Sequence, residues 1–371
     1  MTGMSELARS VAGHGLPGAT TTWPEQPLDR TGWTEFLRCI SRQRLSGLLV
    51  EALAAGDLPA TPEQLDAASQ LHFECVCAVL QLESELLPVL DAFGAAGVDA
   101  RVLKGTAVAH LDFLDPAQRL FADVDLLVRS ERIDDAVRIL GGLGLTRQSV
   151  QPRAGFDRRF GKGATFVSTS GREFDLHRTF VMGPYGLRLQ LDDLWERSDH
   201  FELGGRQVGA LDADCRFLHS CYHTALGDTP PRLVPQRDVA QLLLSGRLDL
   251  DRVKRLIRAW QAEPVVARAV RLTWETLGIA DITALSNWAQ RYVASPRAEK
   301  DLAVYIDPDA NSYAAKSVAV FSALPRSRDK AAFALAMALP RRGFVPPGEL
   351  PGRSGRWQRA LLSAVHRAAR R

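Results

Sequence analysis

A small mixed α/β core held between two helical regions is the fold class this sequence predicts, on three observations. Apolar residues recur at helical spacing before about residue 96 and again after about residue 211. Between those limits "ADVDLLV" and "REFDLH" alternate with a period of two, as half-buried strands do. Glycine-containing turns then divide "ATFVSTSGREFDLH" and "HFELGGRQVGAL" into two hairpins.

Residues 1–28, with "GHGLPGATTTWPEQP", are rich in Gly, Pro and Thr and read as a flexible leader. Residues 29–96 form the N-terminal helical region. Val79, Leu82, Leu86, Leu90 and Phe93 fall on one helical face there, and Pro88 is expected to kink or break the pattern. The α/β core spans 97–211. It opens with a helix stop at Gly97 and a short strand ending at Leu103, after which Lys104-Gly105-Thr106 begins a helix. In the next strand Val124, Leu126 and Val128 point one way, and Asp123, Asp125 and Leu127 the other. Ser130 is the expected N-cap of a helix whose Ile133, Ala136, Val137 and Leu140 stripe stops at Gly141-Gly142. Residues 212–295 are helical again, and 296–371 form a basic C-terminal extension. Its end, "LPGRSGRWQRALLSAVHRAARR", has six arginines and no acid, with Trp357, Leu361, Val365 and Ala368 at helical spacing. Such a helix docks on its own protein or meets a polyanion such as RNA or an anionic membrane.

Composition narrows the function. No run of about 18 apolar residues occurs and the N-terminus lacks an apolar export segment, so a cytoplasmic protein without a transmembrane span is expected. Five cysteines, with Cys75 and Cys77 lacking any partner pair at zinc spacing, read as buried small hydrophobes rather than a disulfide framework. Residues 1–90 hold five Lys/Arg against eleven Asp/Glu, and the remainder 41 against 32. The basic remainder suits an anionic ligand.

Two acids on one face of a strand ask for a cation. Residues i and i+2 lie about 6.6 Å apart, so Asp123 and Asp125 can converge on a pair of metal ions about 3.5–4 Å apart. "REFDLH" offers Glu173, Asp175 and His177 on one face, and if that strand lies beside the first, Asp175 supplies a third carboxylate. Gly105 and Thr106 at a helix start offer room and donors to a phosphate, and Lys104, Arg119, Arg158, Arg159 and Lys162 offer countercharge. A sugar transferase using the same acidic pair would need parallel βα units where residues 29–95 read as helical. A phosphatase of the Asp-x-Asp-x-Thr type would need Thr where Leu127 stands.

"VLKGTAVAHLDFLDPAQRLFADVDLLV", then "GGLGL" and "REFDLHRTF", resembles the uncharacterised nucleotidyltransferase family of the DNA polymerase β-like superfamily, over roughly residues 33–280. The resemblance implies that Asp123, Asp125 and Asp175 are catalytic metal ligands for Mg²⁺ or Mn²⁺ in a two-metal mechanism. It implies that Gly105 and Thr106 meet the phosphates of an NTP, with Thr106 where the superfamily usually has Ser or Gly. Lys104, Arg119, Lys162 and His177 complete the expected nucleotide site, and His177, His219, His223 and Asp238 fall on family-like positions. His177 orients Asp175 or touches substrate, or else packs behind the site, and a hydrogen bond between helices is expected of His223 and Asp238. Arg119 either reaches a phosphate or neutralises the acidic pair. The expected activity is transfer of an NMP group to a hydroxyl, an amine or a phosphate, on a small-molecule, peptide or RNA acceptor, in biosynthesis. The competing reading is a nucleotide- or metabolite-binding module without turnover.

Overall fold

The structure, a computed structural model, describes residues 2–280, 283–307 and 312–344. The basic helix expected around Trp357 lies outside the described residues. The fold is mixed α/β, as the alternating and helical periodicities predict.

Four helices come first: α1 (Thr2–Gly13), α2 (Arg30–Gln43), α3 (Ser46–Ala54) and α4 (Pro62–Ala95). α4 begins with a full capping box, in which Thr61 and Gln64 each satisfy the other's backbone N–H. It then runs unbroken through Pro88 to Ala95, so the expected break is absent. The leader is also corrected, because residues 2–13 form a helix with Leu7, Ala8, Val11 and Ala12 buried. Half of that stripe is alanine, which made its periodicity faint beside the Gly/Pro/Thr run that follows. The Arg237 guanidinium donates to the Ala12 and His14 carbonyls at 2.9 and 2.5 Å, holding the end of α1.

The core follows as β1 (Ala100–Val102), α5 (Lys104–Asp112), β2 (Asp123–Val128), α6 (Ile133–Gly142), β3 (Thr146–Arg147), α7 (Phe156–Arg159), β4 (Gly163–Val167), β5 (Glu173–His177), α8 (Pro184–Arg188), β6 (Ser198–Leu203) and β7 (Arg206–Leu211). These strands form one mixed sheet in the order β3-β4-β5-β2-β1-β7-β6, with β2/β5 and β1/β7 parallel and the other pairs antiparallel. Both predicted hairpins are present. Ser130 begins a short 3₁₀ turn instead of capping α6, and its Oγ is buried with no partner among the described residues. Cys75 and Cys77 are half-buried on α4 rather than fully inside.

One face of the sheet is paved with Val124, Leu126, Val128, Phe174 and Leu176, which pack against Leu82, Leu86, Val89 and Phe93 of α4. Each such side chain contributes about 1.5–3 kcal/mol by leaving water. With that face committed to the core, the alternate positions carry their polar groups to the other side. There they meet helices α9 (Ala213–Leu226) and α10 (Leu233–Leu244), which join α11 (Leu250–Ala259), α12 (Glu263–Leu277) and α13 (Ala284–Arg291). The region from residue 296 onward contributes α14 (Pro296–Ile306), α15 (Tyr313–Ala323) and α16 (Ser327–Ala338). Val320 of α15, Leu324 just after it and Phe333 of α16 pack on Phe156 and Phe160.

Candidate active site

The two acidic strands lie side by side. β2 and β5 are parallel and in register, with Asp123 opposite Glu173, Asp125 opposite Asp175 and Leu127 opposite His177. In-register pairing gathers the alternate positions of both strands over one patch, whereas a slip of one residue would turn one set into the core. One donor atom each from Asp125, Asp175 and His177 lies within 4.8 Å of the others, a grouping that can hold a metal ion. Asp123 and Glu173 stand outside this trio. Asp123 Oδ1 lies 3.6 Å from Nη1 of Arg44.

Asp125 is the buried centre of the site. Its Oδ1 accepts from Lys104 Nζ at 2.7 Å and faces His177 Nε2 at 2.6 Å. Burial opposes its charge, yet Lys104 and His177 outweigh burial and hold the carboxyl well below the usual carboxylate range. The same contact acts on Lys104, where burial works against the ammonium but Asp125, Asp123 and Asp175 together raise its pKa. For His177 burial comes first and the neighbouring Lys162 second, and the ring titrates below its ordinary value despite Asp125. A neutral ring has one N–H, and the 2.6 Å contact to Asp125 takes it, while Nδ1 lies 3.4 Å from the Thr179 carbonyl. A cation at Nε2 would move that hydrogen to Nδ1, where Thr179 can accept it.

Asp175 accepts from Thr165 Oγ1 at 2.5 Å, across the β4/β5 pair, and Lys162 Nζ lies 3.6 Å from its Oδ2. Burial raises its pKa, but Lys162 and His177 carry it below the usual value, so the carboxylate is ionised at neutral pH. Lys162 is itself lowered, by burial and then by Lys104. β4 approaches β5 this closely only because position 163 is glycine: a Cβ there would lie 1.7 Å from the Leu176 carbonyl oxygen.

The structure brings Lys104, Gly105, Asp123, Asp125, Lys162, Asp175 and His177 together, and sets other expected residues apart. Gly105 serves packing, since a Cβ on it would lie 2.4 Å from that of Phe121, and it also borders the cleft. Thr106 is buried, and its Oγ1 has no partner among the described residues, which takes its hydroxyl out of a phosphate's reach. The Arg119 guanidinium borders the same cleft as Gly105 but does not touch the acidic pair. It clasps Asp238 of α10 at 3.1 and 2.6 Å, both residues buried, so Asp238 pairs with Arg119 and not with His223. Arg158 and Arg159 are drawn to Asp134 and Asp329. His219 stacks on Phe180, behind the site.

Two cavities flank the trio. The smaller, about 160 Å³, is bordered by Arg44, Lys104, Gly105, Asp123, Asp125 and Arg232. The larger, about 640 Å³, passes Lys162, Asp175 and His177 and is walled by Gln151, Tyr313 and Lys316. Arg44, Arg232, Thr165 and Lys316 were not foreseen. Arg44 closes α2 in a left-handed conformation, φ 56°, and nothing in its sequence neighbours marks it; Thr165 lay in a strand read only as half of a hairpin.

The model of a family described as uncharacterised nucleotidyltransferase matches residues 29–278. No curated protein matches the chain. Among solved structures, the chain is similar to the solution structure of the antibiotic-resistance factor ANT(2″)-Ia, at 16% identity over 48% of this chain and 91% of that one, TM-score 0.34. It is similar to the crystal structure of the same factor in complex with adenylyl-2″-tobramycin, at 15% identity over 48% and 97%, TM-score 0.35. An antigenic nucleotidyltransferase-like protein from Paracoccidioides brasiliensis gives 15% identity over 56% and 96%, TM-score 0.34.

Proposed function

The chain belongs to the uncharacterised nucleotidyltransferase family, and from that membership we propose that it moves an NMP group from an NTP to a hydroxyl of a small-molecule or peptide acceptor, with a divalent cation held by its acids. The observation that carries this reading is the placement of Asp125, Asp175 and His177 between two cavities. A transfer reaction needs two substrates to meet over shared charge, and a module that only binds a nucleotide needs one cavity.

In this reading the triphosphate enters the smaller cavity. Arg44, Lys104 and Arg232 meet its charge there, and Lys104 and Gly105, the first residues of α5, border it with the positive end of that helix. The acceptor fills the larger cavity, whose volume suits a small organic molecule. The acceptor oxygen forms a bond to the α-phosphorus, the bond from that phosphorus to the bridging oxygen breaks, and pyrophosphate leaves with the electron pair. Asp175, ionised and steadied by Thr165, accepts a hydrogen bond from the acceptor hydroxyl and takes its proton as the new bond forms. A bound cation would ease loss of the hydroxyl proton and screen charge at the phosphate. The imidazole in the donor set inclines it toward Mn²⁺ over Mg²⁺.

The test is label transfer. Purified protein with Mn²⁺ or Mg²⁺ and each α-labelled NTP is mixed with cell extract, and label is sought on metabolites and peptides. Asp125→Asn is expected to lower transfer by more than about 100-fold, beyond what losing a mere supporting contact costs. Nucleotide bound and protected without any release of pyrophosphate would instead establish the binding-module reading.

A further inference from the structure

Lys104 opens α5 at φ 40°, a backbone conformation that side-chain-bearing residues rarely adopt. Its position is fixed from the acid itself, because the preceding Leu103 N–H donates to the Asp125 carbonyl at 2.9 Å. From there Nζ reaches Asp125 Oδ1 at 2.7 Å and feels the charge of Asp123 and Asp175 as well.

A site built for two ions on Asp123 and Asp125 would leave both carboxylates open to metal. Here each of the three aspartates faces a cation of the chain: Arg44 lies 3.6 Å from Asp123, Lys104 2.7 Å from Asp125 and Lys162 3.6 Å from Asp175. Among the described residues, Asp123 also stays out of the converging group of donors formed by Asp125, Asp175 and His177. An incoming ion that pushed Lys104 aside would take its ammonium from Asp125 with no carboxylate of the chain near it standing open, leaving only the phosphates of the nucleotide to receive it. The other carboxylates near the small cavity are engaged, Asp228 by Arg232 at 2.8 Å and Asp238 by Arg119 at 2.6 Å.

We infer that the Lys104 ammonium is a tethered counter-charge in place of one of two cations, so that the site takes a single divalent ion, on Asp125, Asp175 and His177. The inference rests on the nucleotidyltransferase reading and departs from the two-ion arrangement expected from sequence. With the nucleotide bound, Lys104 stays on Asp125 and faces the phosphates.

The measurement is a Mn²⁺ titration, followed by the resonance of the free ion, with adenosine triphosphate carrying a methylene group between the α and β phosphorus atoms. The intact chain is expected to saturate at one Mn²⁺, Lys104→Arg at one, and Lys104→Gln at two. Two ions in the intact chain overturn the inference and leave the nucleotidyltransferase reading standing. One ion in a folded Lys104→Gln, checked by its circular dichroism, also overturns it, because another group would then exclude the second ion. If Lys104→Gln does not fold, the counts for the intact chain and Lys104→Arg decide. Failure of the intact chain to bind the nucleotide analogue with any ion overturns the reading itself and the inference with it.

Discussion

The His219 ring lies 4.4 Å from that of Phe180, centroid to centroid, and its Nε2 is buried with no partner among the described residues. Burial first, and the nearby Lys104 second, hold its pKa well below the ordinary histidine value, and burial does the same to His223. In the unfolded chain both rings return to about 6.5. Above about pH 6.5 both states leave the rings neutral and folding is unaffected by them, whereas below it the unfolded state binds protons that the folded state refuses, so the histidines penalise folding as pH falls. The urea midpoint is expected to drop between pH 7.5 and pH 5.5, and His219→Phe to make that drop smaller while keeping the stack. An unchanged drop in the variant would assign the linkage elsewhere. At this scale the sequence was legible where chemistry follows the alternation of a strand. Asp123, Asp125, Asp175 and His177 could be placed on one face because their neighbours Val124, Leu126, Phe174 and Leu176 had to be core. Partners distant in sequence were illegible: Asp238 sits 119 residues from the Arg119 it holds, and no local pattern links them.

Elements were legible in proportion to the contrast of their apolar stripes. The hairpins around "STSG" and "GG" and the long α4 stood out, whereas α1 was hidden by its alanines. That helix depends on a side chain from another element, the Arg237 guanidinium on the Ala12 and His14 carbonyls. Hydrogen bonds from a charged donor contribute about 1.5–3 kcal/mol each. Arg237→Ala is expected to cost about 2–4 kcal/mol and to speed amide hydrogen exchange across residues 2–13 before the sheet is affected. Uniform exchange throughout the chain would show that α1 has no separate opening.

Across the whole molecule, the buried pair of Arg119 and Asp238 ties the segment leading into β2 to α10, and so ties the acidic strands to the helices that roof the smaller cavity. Removing one partner of a buried pair leaves an uncompensated charge, so Asp238→Ala is expected to cost about 3–5 kcal/mol in denaturant unfolding. Replacing both, as Arg119→Met with Asp238→Leu, should recover much of that, because two apolar side chains of similar size leave no charge stranded. Equal losses in the single and double variants would show that the pair does not act as a unit. Part of the wall of the larger cavity has a different origin. Tyr313, Lys316 and Phe344 come from beyond residue 278, where the family match ends, while Asp125, Asp175 and His177 lie inside it. The rest of that wall, Gln151, Phe156 and Met182 among it, lies inside the matched stretch, so the cavity is closed jointly by the family region and the helices that follow it. On the proposed reading, in which this cavity holds the acceptor, a chimaera carrying another member's α15 is expected to change which acceptor is labelled while the carboxylates stay untouched.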